Sequence, residues 1–201
     1  HTQSGDWPQL GHDNYHTYST EAEITRNLEI KWQYQIKSPH YSSPAVWGER
    51  VYVFDCETLY CLNLQTGEPF WEVPAHLKCP STPTVMDGRI YLAADKNRFQ
   101  CLDAYTGSIL WERELSALHW LNPLVDDSAL YITVENLSYF DPMGLPILDC
   151  WMTPQWFTLL ALGKETGKEI WCYSVVDDSL YEIEGVGFPI LIDGSILFYT
   201  S

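Results

Sequence analysis

The chain has 201 residues, with 11 Lys and Arg against 27 Asp and Glu, a net charge of −16. Apolar residues make 46% and charged residues 19%, the balance of a folded chain. The acidity argues against nucleic acid and anionic membrane surfaces, and no apolar run reaches the ~20 residues of a membrane helix. Nine Trp, thirteen Tyr and seven Phe accompany twelve Pro and twelve Gly. Aromatics favour pleated surfaces and Gly and Pro favour turns, so many short strands are expected. The first residue is His1, which fits a removed leader as well as a trimmed chain.

In chain order, a polar leader comes first, with Asp6-Trp7-Pro8-Gln9-Leu10-Gly11-His12-Asp13 running on to His16-Thr17. Residues 28–36 alternate Leu28, Ile30, Trp32, Tyr34 and Ile36 with Glu29, Lys31, Gln33 and Gln35, the period of a half-buried strand. A unit then begins that recurs about every 40 residues. Ser43-Pro44, Thr82-Pro83, Asn122-Pro123 and Phe188-Pro189 open it. Strand A follows as Ala45-Val46, Thr84-Val85 or Leu124-Val125. Strand B follows as Val51-Tyr52-Val53, Ile90-Tyr91-Leu92, Leu130-Tyr131-Ile132 or Ile196-Leu197-Phe198. Strand C ends at Leu62, Leu102 or Leu162. Strand D carries Trp71, Trp111 or Trp171. Between C and D stand Thr66-Gly67, Thr106-Gly107 and Thr166-Gly167, where Gly supplies the positive φ of a hairpin turn. Four short antiparallel strands per unit of this length predict the blade of a β-propeller.

The Leu-x4-Gly-x3-Trp spacing of residues 62–71, 102–111 and 162–171 resembles the pyrroloquinoline-quinone-type propeller repeat. That family includes quinoprotein alcohol dehydrogenases and the propeller lipoprotein of the outer-membrane barrel-assembly machinery. Residues 6–17 also resemble the leader of its secreted members. The resemblance implies a seven- or eight-bladed ring in which each repeat Trp docks between adjacent blades. It further implies an N-terminal strand, here 28–36, that completes the last blade. The expected division is a leader with ring-closing strand over 1–40, then blades over 41–74, 80–114 and 120–175, and an incomplete blade over 186–201. This is about three and a half blades of an all-β ring.

Blade three is about 20 residues longer than its neighbours, because of an insertion between strands B and C. It carries Tyr139, Phe140, Met143, Trp151, Met152 and Trp156. Such side chains suit an interaction loop on one propeller face, and somewhat better a loop that packs on its own blade, as long apolar loops often do. Asn136-Leu137-Ser138 forms a glycosylation triplet.

Cys61 and Cys101 share a strand-C slot that holds Ala161 in blade three, so small buried thiols are expected. Cys172 should face outward. Cys56, Cys79 and Cys150 should lie on one face, where a disulfide among them would imply an oxidising compartment. His40, Cys79 and His119 stand four residues before successive strand-A prolines, a pattern that could ring a central channel and ligate zinc or copper. Asp126-Asp127 and Asp177-Asp178 are expected as solvated turn residues.

Three functions follow. A non-catalytic scaffold of the exterior or cell envelope needs only the ring, its loops and another polypeptide to complete the ring or cover its open edges. A quinoprotein dehydrogenase would need pyrroloquinoline quinone with calcium, an Asp base, and a Trp and vicinal disulfide around the cofactor. No two Cys are adjacent in this sequence. A metal-binding propeller would use the channel residues. The scaffold, with no cofactor, is the leading expectation.

Overall fold

A computed structural model describes residues 6–10, 12–13, 17–19, 28–38, 42–55, 57–75, 82–95, 98–115, 123–136, 156–176, 190–192 and 195–197. Blade one is built from β1 (Ala45–Trp47), β2 (Arg50–Phe54), β3 (Thr58–Asn63) and β4 (Pro69–Pro74). Blade two is β5 (Thr84–Met86), β6 (Arg89–Asp95), β7 (Arg98–Asp103) and β8 (Ile109–Glu114). Blade three is β9 (Leu124–Val125), β10 (Leu130–Asn136), β11 (Trp156–Leu162) and β12 (Glu169–Val176). Each is an antiparallel meander, and β13 (Ile190–Ile192) with β14 (Ser195–Leu197) forms a fourth, two-stranded sheet. The architecture is that of a partial β-propeller.

One cross-strand row recurs in each complete blade. Ala45, Tyr52, Cys61 and Trp71 stand opposite one another in blade one. Thr84, Tyr91, Cys101 and Trp111 do so in blade two. In blade three Tyr131, Ala161 and Trp171 continue the pattern, with Leu124 opposite Tyr131. The small strand-C residue leaves room for the Tyr and Trp rings to meet across it, with centroids 6.1, 6.2 and 6.0 Å apart. A bulge precedes every Trp. Leu62 faces Pro69 while Cys61 faces Trp71, which leaves Phe70 unpaired, and Leu110 and Ile170 are extra in the same way. The extra residue shifts strand D so that the Trp returns to the face that carries Tyr and Cys.

Strand A of each blade lies innermost, with β5 beside both β1 and β9. The leader crosses this inner layer. Trp7 N–H donates to the Val46 carbonyl (2.8 Å) and Val46 N–H returns to Trp7 (2.7 Å), while Val85 N–H donates to the Pro8 carbonyl (2.7 Å). Asp6 Oδ1 accepts from Gly48 N–H at 2.8 Å. The leader therefore ties blade one to blade two through backbone groups that their short inner strands leave free.

Residues 28–36 depart from the expected strand. They run extended, with no strand ladder among the described residues. Trp32, Tyr34 and Ile36 pack on Val51, Tyr60 and Leu62 of blade one, whereas Leu28 and Ile30 stay 79% and 77% exposed. The alternation marked the inward face, but apolar cover extends only over its second half. The other clusters lie between sheets. The largest joins Tyr52, Leu59 and Cys61 to Ile90, Leu92 and Leu102, then Tyr91 and Phe99 to Leu130, Ile132 and Leu160. A smaller one, of Leu124, Ala129, Tyr131, Leu159 and Ala161, meets Ile196 of β14.

Trp71→Ala and Trp111→Ala should each cost about 3–5 kcal/mol in urea unfolding, the range for large aromatics lost from a packed site. Trp171→Ala should cost less than half of that, because this ring is 39% exposed rather than buried as its place in the repeat led us to expect.

Candidate interaction surface

The joints between blades share one geometry. The C–D turn closes with Asn63 N–H donating to the Glu68 carbonyl and Gly67 N–H to the Asn63 carbonyl, both 2.8 Å, and equivalent bonds close the turns at Gly107 and Gly167. The Thr before each Gly accepts from the N–H two residues on, at 3.2–3.3 Å. Asn63 and Asp103 add side-chain acceptors for the turn N–H groups, a contribution Gly163 cannot make. The three Gly have φ of 74°, 74° and 64°. Onto each lies the Trp of the preceding unit. A Cβ on Gly67 would stand 2.6 Å from the Trp32 indole, one on Gly107 3.0 Å from Trp71, and one on Gly167 2.6 Å from Trp111. The glycine is therefore required twice, for its φ and for the indole.

Each indole N–H also donates to the carbonyl three residues before that Gly. Trp32 reaches Leu64 at 2.9 Å, Trp71 reaches Ala104 at 3.3 Å, and Trp111 reaches Lys164 at 2.8 Å. Tyr52 O–H adds a second bond to Ala104, at 3.2 Å. The repeat residues Thr66, Gly67, Trp71, Thr106, Gly107, Trp111, Thr166 and Gly167 thus come together in pairs drawn from neighbouring blades. Trp171 has no such turn against it among the described residues.

Around this shared dock the flanking contacts differ. Lys31 bonds to Gln65. The Arg50 guanidinium lies 4.1 Å from the Phe70 ring and 5.2 Å from the Tyr105 ring. Arg89 pairs with Glu165, and Arg113 donates to the Gly167 carbonyl and to Glu169, both at 3.0 Å. Gln65, Tyr105 and Glu165 occupy the same position, two residues before the Gly. These contacts were not legible in the repeat, because they depend on which blade follows which.

The thiols divide by burial. Burial pushes the Cys61 thiol up, against the lowering influence of Arg50, and pushes Cys101 up to about 12. Both are free and buried, while Cys172 is free and exposed. Asp55 was not singled out in the sequence. It is buried, and its two oxygens accept from Glu57 N–H, Thr58 N–H, Ser38 N–H and Tyr60 O–H. Burial pushes its carboxyl up, but these bonds outweigh it and hold it below the usual range. Asp126 is a turn residue as expected but half-buried rather than solvated: it accepts from Ser128 N–H, Ala129 N–H and Tyr131 O–H and is also held low against the effect of burial, while Asp127 is exposed.

Tyr139, Phe140, Met143, Trp151 and Met152 lie outside the described residues, and Trp156 opens β11. His40, Cys79, His119, Cys56, Cys150 and Asp177-Asp178 also lie outside them.

The family profile described as outer membrane protein assembly factor BamB matches residues 25–141. The chain belongs to this family of pyrroloquinoline-quinone-type repeat propellers. It is 27% identical over 146 residues to a 1-butanol dehydrogenase (cytochrome c) of Thauera butanivorans, covering 63% of this chain and 20% of that protein. It is 26% identical over 124 residues to the assembly factor BamB of Yersinia pestis, covering 53% and 31%. The quinohemoprotein alcohol dehydrogenase structure from Comamonas testosteroni superposes with a TM-score of 0.64 at 19% identity, covering 84% and 27%, a likeness of fold. The chain spans between a fifth and a third of these relatives. Among the described residues no three His, Cys, Asp or Glu side chains group closely enough to hold a metal.

Two outcomes follow from the chemistry of these groups. An aromatic disulfide reagent should label Cys172 at once in the folded chain and reach Cys61 and Cys101 only on unfolding. The stabilisation from Asp55 and Asp126 is present above the ordinary carboxylate pKa and is lost as pH falls through their lowered folded values. The urea midpoint should therefore fall on going from about pH 5 to about pH 2. Asp55→Asn should be less stable at neutral pH by about 1–3 kcal/mol, with a flatter acid limb.

Proposed function

We propose that this chain is part of a non-catalytic propeller scaffold of the cell envelope or exterior, whose function is to bind another polypeptide. The observation that carries this reading is the segment 28–36. It is held on blade one by Trp32, Tyr34 and Ile36, by Lys37 N–H on Tyr60 and by Ser38 N–H on Asp55. It presents Leu28 and Ile30 to solvent beside a backbone that forms no ladder among the described residues. A segment outside any strand ladder, with exposed apolar side chains, is a template for strand addition. Family membership with an outer membrane assembly factor supports a polypeptide as the ligand and the envelope as the place. The net charge of −16 favours a basic or neutral partner. The insertion loop with Tyr139, Phe140, Met143, Trp151, Met152 and Trp156 is a second contact surface under this proposal.

The test is site-specific photocrosslinking in cells that make the protein. A photoreactive residue at Ile30 should crosslink to a second polypeptide segment, and one at Tyr52, inside the blade joint, should not. Stoichiometric binding of pyrroloquinoline quinone with calcium, accompanied by dye-linked alcohol oxidation, would overturn the proposal in favour of a dehydrogenase.

A further inference from the structure

The turn ends of blades one and two meet in an aromatic cluster that the repeat does not require. Leu64 N–H donates to the Glu49 carbonyl at 3.0 Å and Ala104 N–H to the Gly88 carbonyl at 2.9 Å, so in each blade the A–B turn is bonded to the C–D turn. At this end Trp47 meets Tyr105 edge to face, with ring centroids 5.7 Å apart and planes at 69°. A Cβ on Gly88 would stand 3.4 Å from the Tyr105 ring and 4.0 Å from Trp47, so this glycine floors the corner between them. The Arg50 guanidinium lies over both Phe70 and Tyr105. Phe70 is 46% and Tyr105 55% exposed.

We propose that this surface, formed by Trp47, Arg50, Phe70 and Tyr105 with Glu49 and Glu68 beside them, docks a lysine- or arginine-bearing apolar segment of another polypeptide. The fold itself does not need the aromatic cluster. The next joint has the same indole dock, yet carries Met86, Leu110 and Glu165 in the places of Trp47, Phe70 and Tyr105. There Arg89 pairs with Glu165, and Arg98 and Arg113 pair with Glu112 and Glu169. Arg50 has no carboxylate partner among the described residues, although the chain carries a net charge of −16. Aromatic rings stand where its partner would be. Grouped exposed apolar side chains mark contact surfaces, and Trp, Tyr and Arg are the residues on which such contacts concentrate their energy.

The charge of the partner follows from the surroundings. Glu49 lies in the A–B turn beside Arg50, and Glu68 in the C–D turn two residues before Phe70, both exposed. They outnumber the one cation of the cluster. Aromatic faces attract cations as carboxylates do, and the field of the whole chain acts in the same direction. An acidic segment would meet like charge. A neutral saccharide stacks on rings as well, but draws nothing from this field.

This inference rests on the reading of the chain as a polypeptide binder and specifies the chemistry of the partner. It uses a different surface from Leu28 and Ile30, so its failure would leave the Ile30 crosslink intact, and the reverse also holds. The probes are fluorescein-labelled peptides of repeated Lys-Leu-Pro, Glu-Leu-Pro and Lys-Gly-Ser, read by anisotropy against the whole chain. The Lys-Leu-Pro peptide should bind roughly tenfold or more tightly than either of the others. Phe70→Leu combined with Tyr105→Glu installs residues that the next joint already uses and gives Arg50 a carboxylate. This variant should keep its urea midpoint and bind the Lys-Leu-Pro peptide roughly tenfold or more weakly. Glu49→Gln combined with Glu68→Gln should weaken binding severalfold and flatten its salt dependence. In the unaltered chain, the Lys-Leu-Pro peptide should shift the Trp47 indole N–H in NMR spectra more than any other assigned indole. An unshifted Trp47, or equal binding by the chain and the folded Phe70 and Tyr105 variant, would overturn the proposal. So would equal binding of the Lys-Leu-Pro and Lys-Gly-Ser peptides, which charge alone explains, or no binding at all. Binding of maltoheptaose in place of the peptide, lost in Tyr105→Glu, would overturn it in favour of a saccharide site.

Discussion

The structure depends on one contact, an indole laid flat on a glycine that has no side chain to keep it away. The glycine must be in the left-handed region to turn the chain from strand C to strand D. The same absence of a Cβ lets the Trp of the preceding unit approach to van der Waals distance and place its N–H on a turn carbonyl. Turn chemistry and blade stacking thus share one residue. A side chain at Gly107 or Gly167 would disturb both at once.

Other features of the blade serve this contact. Tyr on strand B supports the indole from behind, and Cys or Ala on strand C is small enough to let it do so. The bulge before each Trp returns it to the correct face. Ion pairs such as Arg89–Glu165 lie at the margin in water, where such pairs contribute about 0–1 kcal/mol. They suit discrimination between neighbours better than cohesion, because the indole dock is common to the joints while the charged contacts are not. The buried thiols at 61 and 101 are accounted for by volume, and their raised pKa is a consequence of the dry slot that the joint creates.

Much of this was legible in the sequence. The Thr-Gly and Trp spacing lies within one hairpin, so Thr66, Gly67 and Trp71 and their counterparts revealed the blade without any long-range information. The strand-C slot of Cys61, Cys101 and Ala161 was legible for the same reason. Contacts between blades were not. Nothing local to Tyr105 announces Arg50, and nothing local to Asp55 announces the Ser38 amide. Period-2 alternation over 28–36 identified which side chains face inward, but a strand also needs a ladder partner, and that lies outside any local pattern. Asp126 looked like a solvated turn residue because an Asp that binds N–H groups of its own turn has the same composition as one that does not. The position of Trp171 in the repeat implied burial, but burial is a property of the neighbour as well as of the residue.

The two ends of the arc express the same logic. At the start, Trp32 supplies a dock for blade one from a segment that belongs to no complete sheet among the described residues. At the far side, Trp171 offers a dock that these residues leave open. Each of the three joints is made in the same way, by an indole, a turn glycine and a turn carbonyl. The most direct test is hydrogen exchange of the indole N–H groups, followed by NMR on the folded chain with each Trp assigned by substitution. The account predicts slow exchange for Trp32, Trp71 and Trp111, whose N–H groups are bonded to turn carbonyls, and fast exchange for Trp171. Solvent-rate exchange at Trp71 and Trp111, or protection of Trp171 equal to theirs, would contradict it.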